Sequence, residues 1–119
     1  MKKILLAEDD ATMVSLLTIL LGLEGYLVVH LSGENQDIIQ LTRDELPDLI
    51  ILDVFLGEQN GLEVVRKLKG LNDLKNSKVI MTSGMDLGDK CMMAGADDFV
   101  QKPYMPVELL EKIRESLSG

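Results

Sequence analysis

Cysteine, histidine and aromatic residues are scarce in this chain. Among its 119 residues there is no tryptophan, and the aromatic residues together make up 3%. Cys91 is the single cysteine and His30 the single histidine. One cysteine cannot form a disulfide within the chain, which favours a reducing compartment. One cysteine and one histidine are also too few ligands for a zinc site, so we interpret both as structural.

Basic residues and long apolar runs are scarce as well. Twelve lysines and arginines face 20 aspartates and glutamates, giving a formal net charge of −8. A nucleic-acid-binding surface needs a basic footprint, so we expect no direct nucleic-acid partner. No apolar run approaches the roughly 20 residues of a membrane span, and Glu8 interrupts the first run too early for a signal peptide. These absences predict a small acidic protein of the cytoplasm, without a membrane partner.

Short apolar runs alternate with amphipathic stretches along the whole chain. The length fits one domain, and a hydrophobic content of 46% is enough for a core. The apolar runs are continuous, as in parallel strands that are buried on both faces. These runs are 4–7, 26–29, 49–52, 79–81 and 99–100.

Helical patterns separate the apolar runs. Their apolar residues recur at spacings of three and four, which gives each helix one apolar face. The predicted helices are 11–24, 34–45, 61–69, 106–118 and a weaker one at 86–95, interrupted by Gly88. Strand and helix thus alternate five times, which predicts an α/β fold with a parallel sheet. We find no linker or repeat and expect one domain over residues 1–119.

Charged side chains stand where predicted strands end. Asp53 ends the third apolar run, Glu8 and Asp9 end the first, and Lys102 follows the last. Ligands of parallel α/β sheets bind at the carboxyl ends of the strands, so these side chains should share one edge with Ser83. Neighbouring strands lie roughly 5 Å apart, and carboxylates on two of them can share one cation.

This set of residues suits magnesium and a phosphoryl group. Magnesium prefers a few carboxylates together with water and phosphate oxygens. A carboxylate such as Asp53 can also attack phosphorus and form an acyl phosphate. A metal, a lysine and a hydroxyl would neutralise the charge of the transferring oxygens. Each residue also has a plainer interpretation: Asp53 as a strand terminus, Glu8 and Asp9 as helix-capping acids, and Asp10 as the helix N-cap.

Four motifs resemble those of the receiver domain of two-component response regulators. They occur in the family's order and at near-family spacing, and together they span essentially the whole chain. The motifs are Ile4-Leu5-Leu6-Ala7-Glu8-Asp9-Asp10, Asp53-Val54-Phe55-Leu56-Gly57-Glu58-Gln59-Asn60-Gly61, Thr82-Ser83-Gly84 and Gly95-Ala96-Asp97-Asp98-Phe99-Val100-Gln101-Lys102-Pro103-Tyr104. The resemblance implies a three-layer, doubly wound, flavodoxin-like fold whose five parallel strands have the order 2-1-3-4-5.

The resemblance also implies a function for the acidic edge. Asp53 would accept a phosphoryl group from a sensor histidine kinase or a phosphotransfer protein. Glu8, Asp9, Asp53 and the backbone carbonyl of Phe55 would hold Mg²⁺. Lys102 would pair with Asp53 and then with the phosphoryl group. The domain would be a switch rather than an enzyme, although it assists its own phosphorylation and dephosphorylation.

The same resemblance implies how the switch is read. Ser83 would move its hydroxyl to the phosphoryl group, and Phe99 would rotate inward as the aromatic switch. The face that changes would be helix 4, strand 5 and helix 5, over residues 86–118. We expect a monomer, possibly a dimer after phosphorylation, with no output domain in this chain. Either a free-standing receiver or the first part of a longer regulator fits this expectation.

Three positions depart from the family pattern or leave a choice. Gly57 stands where the family usually has proline, which predicts a more mobile loop after Asp53. The interval from Ser83 to Lys102 is about one helical turn shorter than usual, which predicts a short or irregular helix 4. Thr82 and Ser83 are adjacent, and only one of them can face the site. The small residue that follows favours Ser83.

Three other classes of protein share part of this pattern. An aspartate-nucleophile phosphatase would have a second aspartate at position 55, where this chain has Phe55. A flavin-binding electron carrier would have a phosphate loop after its first strand, where Glu8 and Asp9 would repel phosphate. A receiver-like interaction module that signals without phosphorylation is the remaining alternative, and the complete set of site residues disfavours it.

Overall fold

The computed structural model describes residues 1–31 and 36–118 of the chain. The strands of this part are β1 (Lys3–Ala7), β2 (Leu27–His30), β3 (Leu49–Asp53), β4 (Phe55–Leu56), β5 (Gln59–Asn60), β6 (Lys78–Ser83) and β7 (Asp98–Gln101). The helices are α1 (Ala11–Leu23), α2 (Ile38–Glu45), α3 (Gly61–Gly70), α4 (Gly88–Ala94) and α5 (Pro106–Leu117).

Five of these strands form one parallel sheet in the order β2-β1-β3-β6-β7. β6 and β7 are the fourth and fifth predicted strands, so the predicted order 2-1-3-4-5 is confirmed. The sequence did not predict β4 and β5, which pair antiparallel as a short hairpin directly after β3. This hairpin shapes the loop that follows Asp53.

Buried side chains on the two faces of the sheet form two separate clusters. One cluster joins the sheet to α2, α3 and α4, and the other joins it to α1 and α5. The central strand β3 is buried along its whole length. Helices therefore cover both faces, which confirms the three-layer α/β architecture and leaves the carboxyl edge of the sheet as the place for a site.

Side chains at three helix starts satisfy the first backbone N–H groups. Asp10 accepts hydrogen bonds from the N–H groups of Thr12 and Met13, which confirms its N-cap role in α1. Asp37 caps α2. The predicted start of that helix at residue 34 lies outside the described residues, and residues 36–37 precede the helix instead of belonging to it.

The fourth helix is short, as the shortened Ser83–Lys102 interval predicts. It has seven residues, and its N-cap residue Leu87 makes no side-chain capping hydrogen bond. The expectation that Gly88 interrupts this helix was wrong, because Gly88 is its first residue. Within residues 1–31 and 36–118, no helix has the length and apolar character needed to cross a membrane.

Candidate functional site

Three strands bring a lysine and two buried carboxylates into direct contact. Glu8 follows β1, Asp53 ends β3 and Lys102 follows β7. Lys102 Nζ donates to Asp53 Oδ2 at 2.9 Å and to both Glu8 oxygens at 3.0 and 3.1 Å. Both carboxylates are more than nine-tenths buried. The ammonium group thus neutralises part of the negative charge that the fold concentrates at this edge.

Asp9 completes a cluster of three carboxylates. One oxygen from each of Glu8, Asp9 and Asp53 lies within 4.8 Å of the other two, and Asp9 is the exposed member. Backbone N–H groups of the segment that follows β3 donate hydrogen bonds to two of these carboxylates, Asp53 and Asp9. The N–H of Phe55 donates to Asp53 Oδ1 at 3.2 Å, and that of Gly57 donates to Asp9 Oδ2 at 3.2 Å.

The electrostatics of this cluster show in two pKa shifts. Burial, opposed by the hydrogen bond from Lys102 and reinforced by the neighbouring Asp53, raises the pKa of Glu8 to about 7. Burial alone would lower the pKa of Lys102, but its hydrogen bonds to Asp53 and Glu8 outweigh that effect and raise it. Ionisation of all three carboxylates therefore costs free energy unless more positive charge is present. This is expected for a site that binds a cation.

We expect Glu8→Gln to change the pH dependence of stability in EDTA. Because the folded pKa of Glu8 is about 7 against an ordinary value of 4.5, the folded state holds a proton that the unfolded state has lost. Wild-type stability should therefore fall across that interval relative to the variant, by on the order of 1 kcal/mol because solvent screens part of the interaction. Urea unfolding at about pH 5 and about pH 8 measures this; parallel pH profiles for the two proteins would contradict it.

The backbone conformation at position 57 explains why glycine stands there. Its φ of +58° lies in the left-handed region that glycine adopts readily, and its N–H is the donor to Asp9. Proline has neither this φ nor an N–H, so the family's usual residue does not fit the loop as it stands here. The greater mobility predicted for this loop stays a prediction.

We expect Gly57→Pro to weaken Mg²⁺ binding clearly, and Gly57→Ala to do so only slightly. Alanine keeps the N–H that donates to Asp9 and costs about 1 kcal/mol for its positive φ, whereas proline loses both features. Calorimetric titration of Mg²⁺ into the two variants separates the contributions. Equal affinities for the alanine and proline variants would show that the hydrogen bond to Asp9 does not matter.

The two candidate hydroxyls lie on opposite faces of the sheet. In the β3–β6 register, Thr82 pairs with Asp53. Ser83 lies instead on the face that carries Phe99, because Met81 pairs with Phe99 two residues earlier in the same strand. Both hydroxyl residues are buried. The Oγ of Ser83 accepts a hydrogen bond of 3.1 Å from the N–H of Met85.

Two other features of the edge concern its backbone. The Lys102–Pro103 peptide bond is cis. A β-carbon at Gly61 would lie 2.6 Å from the carbonyl oxygen of Asp53 and 2.9 Å from the Cα of Val54. Gly61 therefore lets α3 begin directly against the backbone at the end of β3. The sequence placed Gly61 in a motif but gave it no role, since this close approach involves only backbone atoms.

Comparisons with known proteins agree with this geometry. The model of the response regulator receiver domain matches residues 4–114. The DNA-binding response regulator MtrA of Mycolicibacterium paratuberculosis is 34% identical over 118 residues, covering 98% of this chain and 51% of that protein. The transcriptional regulatory protein CpxR of Escherichia coli is 36% identical over 121 residues, covering 98% and 50%. The chain thus spans about half the length of these relatives.

Solved structures agree as well. The beryllofluoride-activated receiver domain of Klebsiella pneumoniae RstA superposes with a TM-score of 0.88 at 26% identity, covering 99% of this chain and 100% of that one. The receiver domain of a histidine kinase from Syntrophus aciditrophicus gives 0.88 at 32% identity, covering 100% and 92%. This chain belongs to the response regulator receiver domain family. Receiver domains of this family are phosphoacceptor switches that receive phosphoryl groups from histidine kinases.

Proposed function

We propose that this chain is a phosphorylation-activated receiver whose acceptor is Asp53. The observation that carries the proposal is the position of the Asp53 carboxylate, which ends β3 in contact with Lys102 and within 4.8 Å of a Glu8 and an Asp9 oxygen. Of its two oxygens, Oδ2 contacts Lys102 and Oδ1 accepts the N–H of Phe55. These contacts fix the carboxylate so that it can face an incoming phosphorus atom.

Glu8, Asp9, Asp53 and the backbone carbonyl of Phe55 are the ligands that we propose for Mg²⁺. The set fits a hard divalent cation, because it offers oxygen ligands only and concentrates more negative charge than Lys102 neutralises. When bound, the ion would offset negative charge on the phosphoryl oxygens. Lys102 already contacts both Glu8 and Asp53, so its ammonium group is placed to follow the charge as it moves onto the phosphoryl group.

Ser83 is the hydroxyl that we propose for the switch, with Phe99 as its aromatic partner. Two observations support the assignment: both residues lie on one sheet face, and in the described structure the Ser83 oxygen accepts one backbone N–H, which leaves its O–H as a donor for a phosphoryl oxygen. Phosphorylation would then bias a two-state equilibrium that extends to α4, β7 and α5. The half-buried Phe99 packs beside α4, and the Lys112–Asp98 ion pair at 3.3 Å joins α5 to β7.

We expect Ser83→Ala to accept the phosphoryl group yet lose most of the spectral change at α4, β7 and α5. The reason is that the proposed switch hydroxyl lies on the sheet face that carries Phe99. Thr82→Val is the matched control and should keep that change. Amide NMR shifts with and without beryllofluoride and Mg²⁺ measure both variants. If Thr82→Val lost the change and Ser83→Ala kept it, the hydroxyl would be Thr82.

The donor and the setting follow from the family. We propose a sensor histidine kinase or a phosphotransfer protein as donor, in the cytoplasm, where response regulators generally act. Several relatives are named DNA-binding or transcriptional regulators, and half of their length lies beyond the region that this chain matches. Their output is not assigned to this chain, and a monomer that can form a dimer on phosphorylation remains our expectation.

The function is tested by intact mass after incubation with acetyl phosphate. One added phosphoryl group should appear with Mg²⁺ and be absent when EDTA removes the metal. An adduct that forms equally in EDTA would contradict the metal site. No adduct in either condition, together with no beryllofluoride binding, would favour an interaction module that signals without phosphorylation.

A further inference from the structure

The connection between β6 and α4 touches both residues of the proposed switch. At its beginning, the N–H of Met85 donates to the hydroxyl of Ser83. At its end, Gly88 lies against the ring of Phe99. This connection, residues 84–88, is therefore placed to couple the movements of the hydroxyl and the ring.

The contact at Gly88 depends on the absence of a side chain. A β-carbon at this position would lie 3.2 Å from Cδ2 of Phe99 and 3.8 Å from Cε2 and Cγ. Carbon atoms that are not bonded to each other pack best at about 3.5 to 4.0 Å, so the nearest of these contacts would be too short. Two other described helical glycines, Gly22 and Gly70, have no heavy atom within 4 Å of an added β-carbon. The close approach to Phe99 is thus a particular feature of Gly88.

The two sides of this contact are held by different interactions, packing on the side of the ring and hydrogen bonds on the side of the backbone. Phe99 pairs with Met81 in the sheet, and its ring packs against the buried cluster beneath α2, α3 and α4. On the other side, the backbone of Leu87 is fixed by two hydrogen bonds: its N–H donates to the carbonyl of Met85, and its carbonyl accepts the N–H of Cys91. A methyl group at position 88 would therefore displace the ring more readily than the backbone.

We propose that Gly88 is a positioning residue for the switch, because its bare Cα leaves room for the Phe99 ring in the arrangement that accompanies the Ser83–Met85 hydrogen bond. The inference rests on the proposed function. Filling that space disfavours the arrangement in which Ser83 is bound to Met85. The population then shifts toward the arrangement in which the hydroxyl reaches the phosphoryl group and the ring has moved inward.

Beryllofluoride binding in the presence of Mg²⁺ tests the proposal. Gly88→Ala should bind beryllofluoride about fivefold more tightly than wild type, at the low end of couplings between distant sites. The gain should vanish when Phe99→Ala is the background, because the methyl group then meets no ring. Gly70→Ala, an alanine at a helical glycine with open space around it, should bind as wild type does.

A second measurement follows the ring itself. The chain has only two phenylalanines, Phe55 and Phe99, so NMR of phenylalanine-labelled protein reports each ring separately. Gly88→Ala should shift the Phe99 ring signals without ligand and leave those of Phe55 in place. Urea unfolding confirms that the variant is folded, and Gly88→Ser places the same β-carbon there if alanine prevents folding.

The possible outcomes separate this inference from the proposed function. Failure of wild type to bind beryllofluoride would overturn the proposed function. If wild type binds but Gly88→Ala binds equally or more weakly, the role of Gly88 is overturned. The same conclusion follows if the gain persists without the Phe99 ring or if the Phe99 ring signals do not move.

Discussion

Replacing Asp53 by asparagine should abolish phosphoryl incorporation from acetyl phosphate. An amide has no negatively charged oxygen to attack phosphorus, so no acyl phosphate can form at this position. The folded structure should survive, because asparagine keeps one oxygen to accept the ammonium group of Lys102, which also stays paired with Glu8, and loses only the acceptor for the N–H of Phe55. The loss would therefore be one of chemistry and not of folding. Intact mass measures it, and urea unfolding verifies the fold.

Asp10→Asn is the matched control for this experiment. Asp10 lies at the same edge but serves as the N-cap of α1, a role that asparagine fills equally well. Its phosphoryl incorporation should equal that of wild type. Incorporation that persists in Asp53→Asn would place the acceptor at another carboxylate, and equal losses in both variants would show a general loss of negative charge.

Replacing Lys102 by glutamine should slow phosphorylation by about a hundredfold to a thousandfold, the usual cost of removing one charge-stabilising donor from a reacting group. Lys102 is the cation in contact with both Glu8 and Asp53. Without it, the developing charge on the phosphoryl oxygens loses a fixed positive partner. The rate of mass change at saturating Mg²⁺ measures the effect, and saturating the metal separates it from altered metal binding.

Lys3→Gln makes the same chemical change at the opposite edge of the sheet. Lys3 pairs with Glu45 at 3.5 Å and donates to its carbonyl, far along β1 from the acidic cluster. Its rate should be that of wild type. A wild-type rate in Lys102→Gln would remove Lys102 from the mechanism, whereas an equal slowing in both variants would reflect the more negative net charge alone.

The sheet and most of its helices could be predicted because hydrophobic patterning follows burial. The run at 49–52 is continuous because β3 is buried on both faces, and its end at Asp53 marks the edge where the site lies. The first residue of a helix was harder to predict where a capping side chain determines it. Asp37 rather than an earlier residue fixes the start of α2, and the pattern of apolar residues does not reveal which polar residue acts as the cap.

The candidate site was predictable in its charged residues and less so in its backbone. Glu8, Asp53 and Lys102 lie at the carboxyl ends of three separate strands, and the rule that these ends share one edge brings them together. The roles of Gly57 and Gly61 depend on a positive φ and on a close approach of backbone atoms, which no periodicity encodes. The contact between Gly88 and Phe99 depends likewise on how a short helix meets a strand.

Reduction of the phosphorylated protein with borohydride tests the central claim most directly. Borohydride converts an aspartyl phosphate to homoserine, and peptide mass spectrometry then locates the converted residue. We predict homoserine at position 53, formed only in protein that was phosphorylated with Mg²⁺ present. Homoserine at another aspartate, or an adduct that borohydride leaves unchanged, would contradict the assignment of Asp53 as the phosphoacceptor.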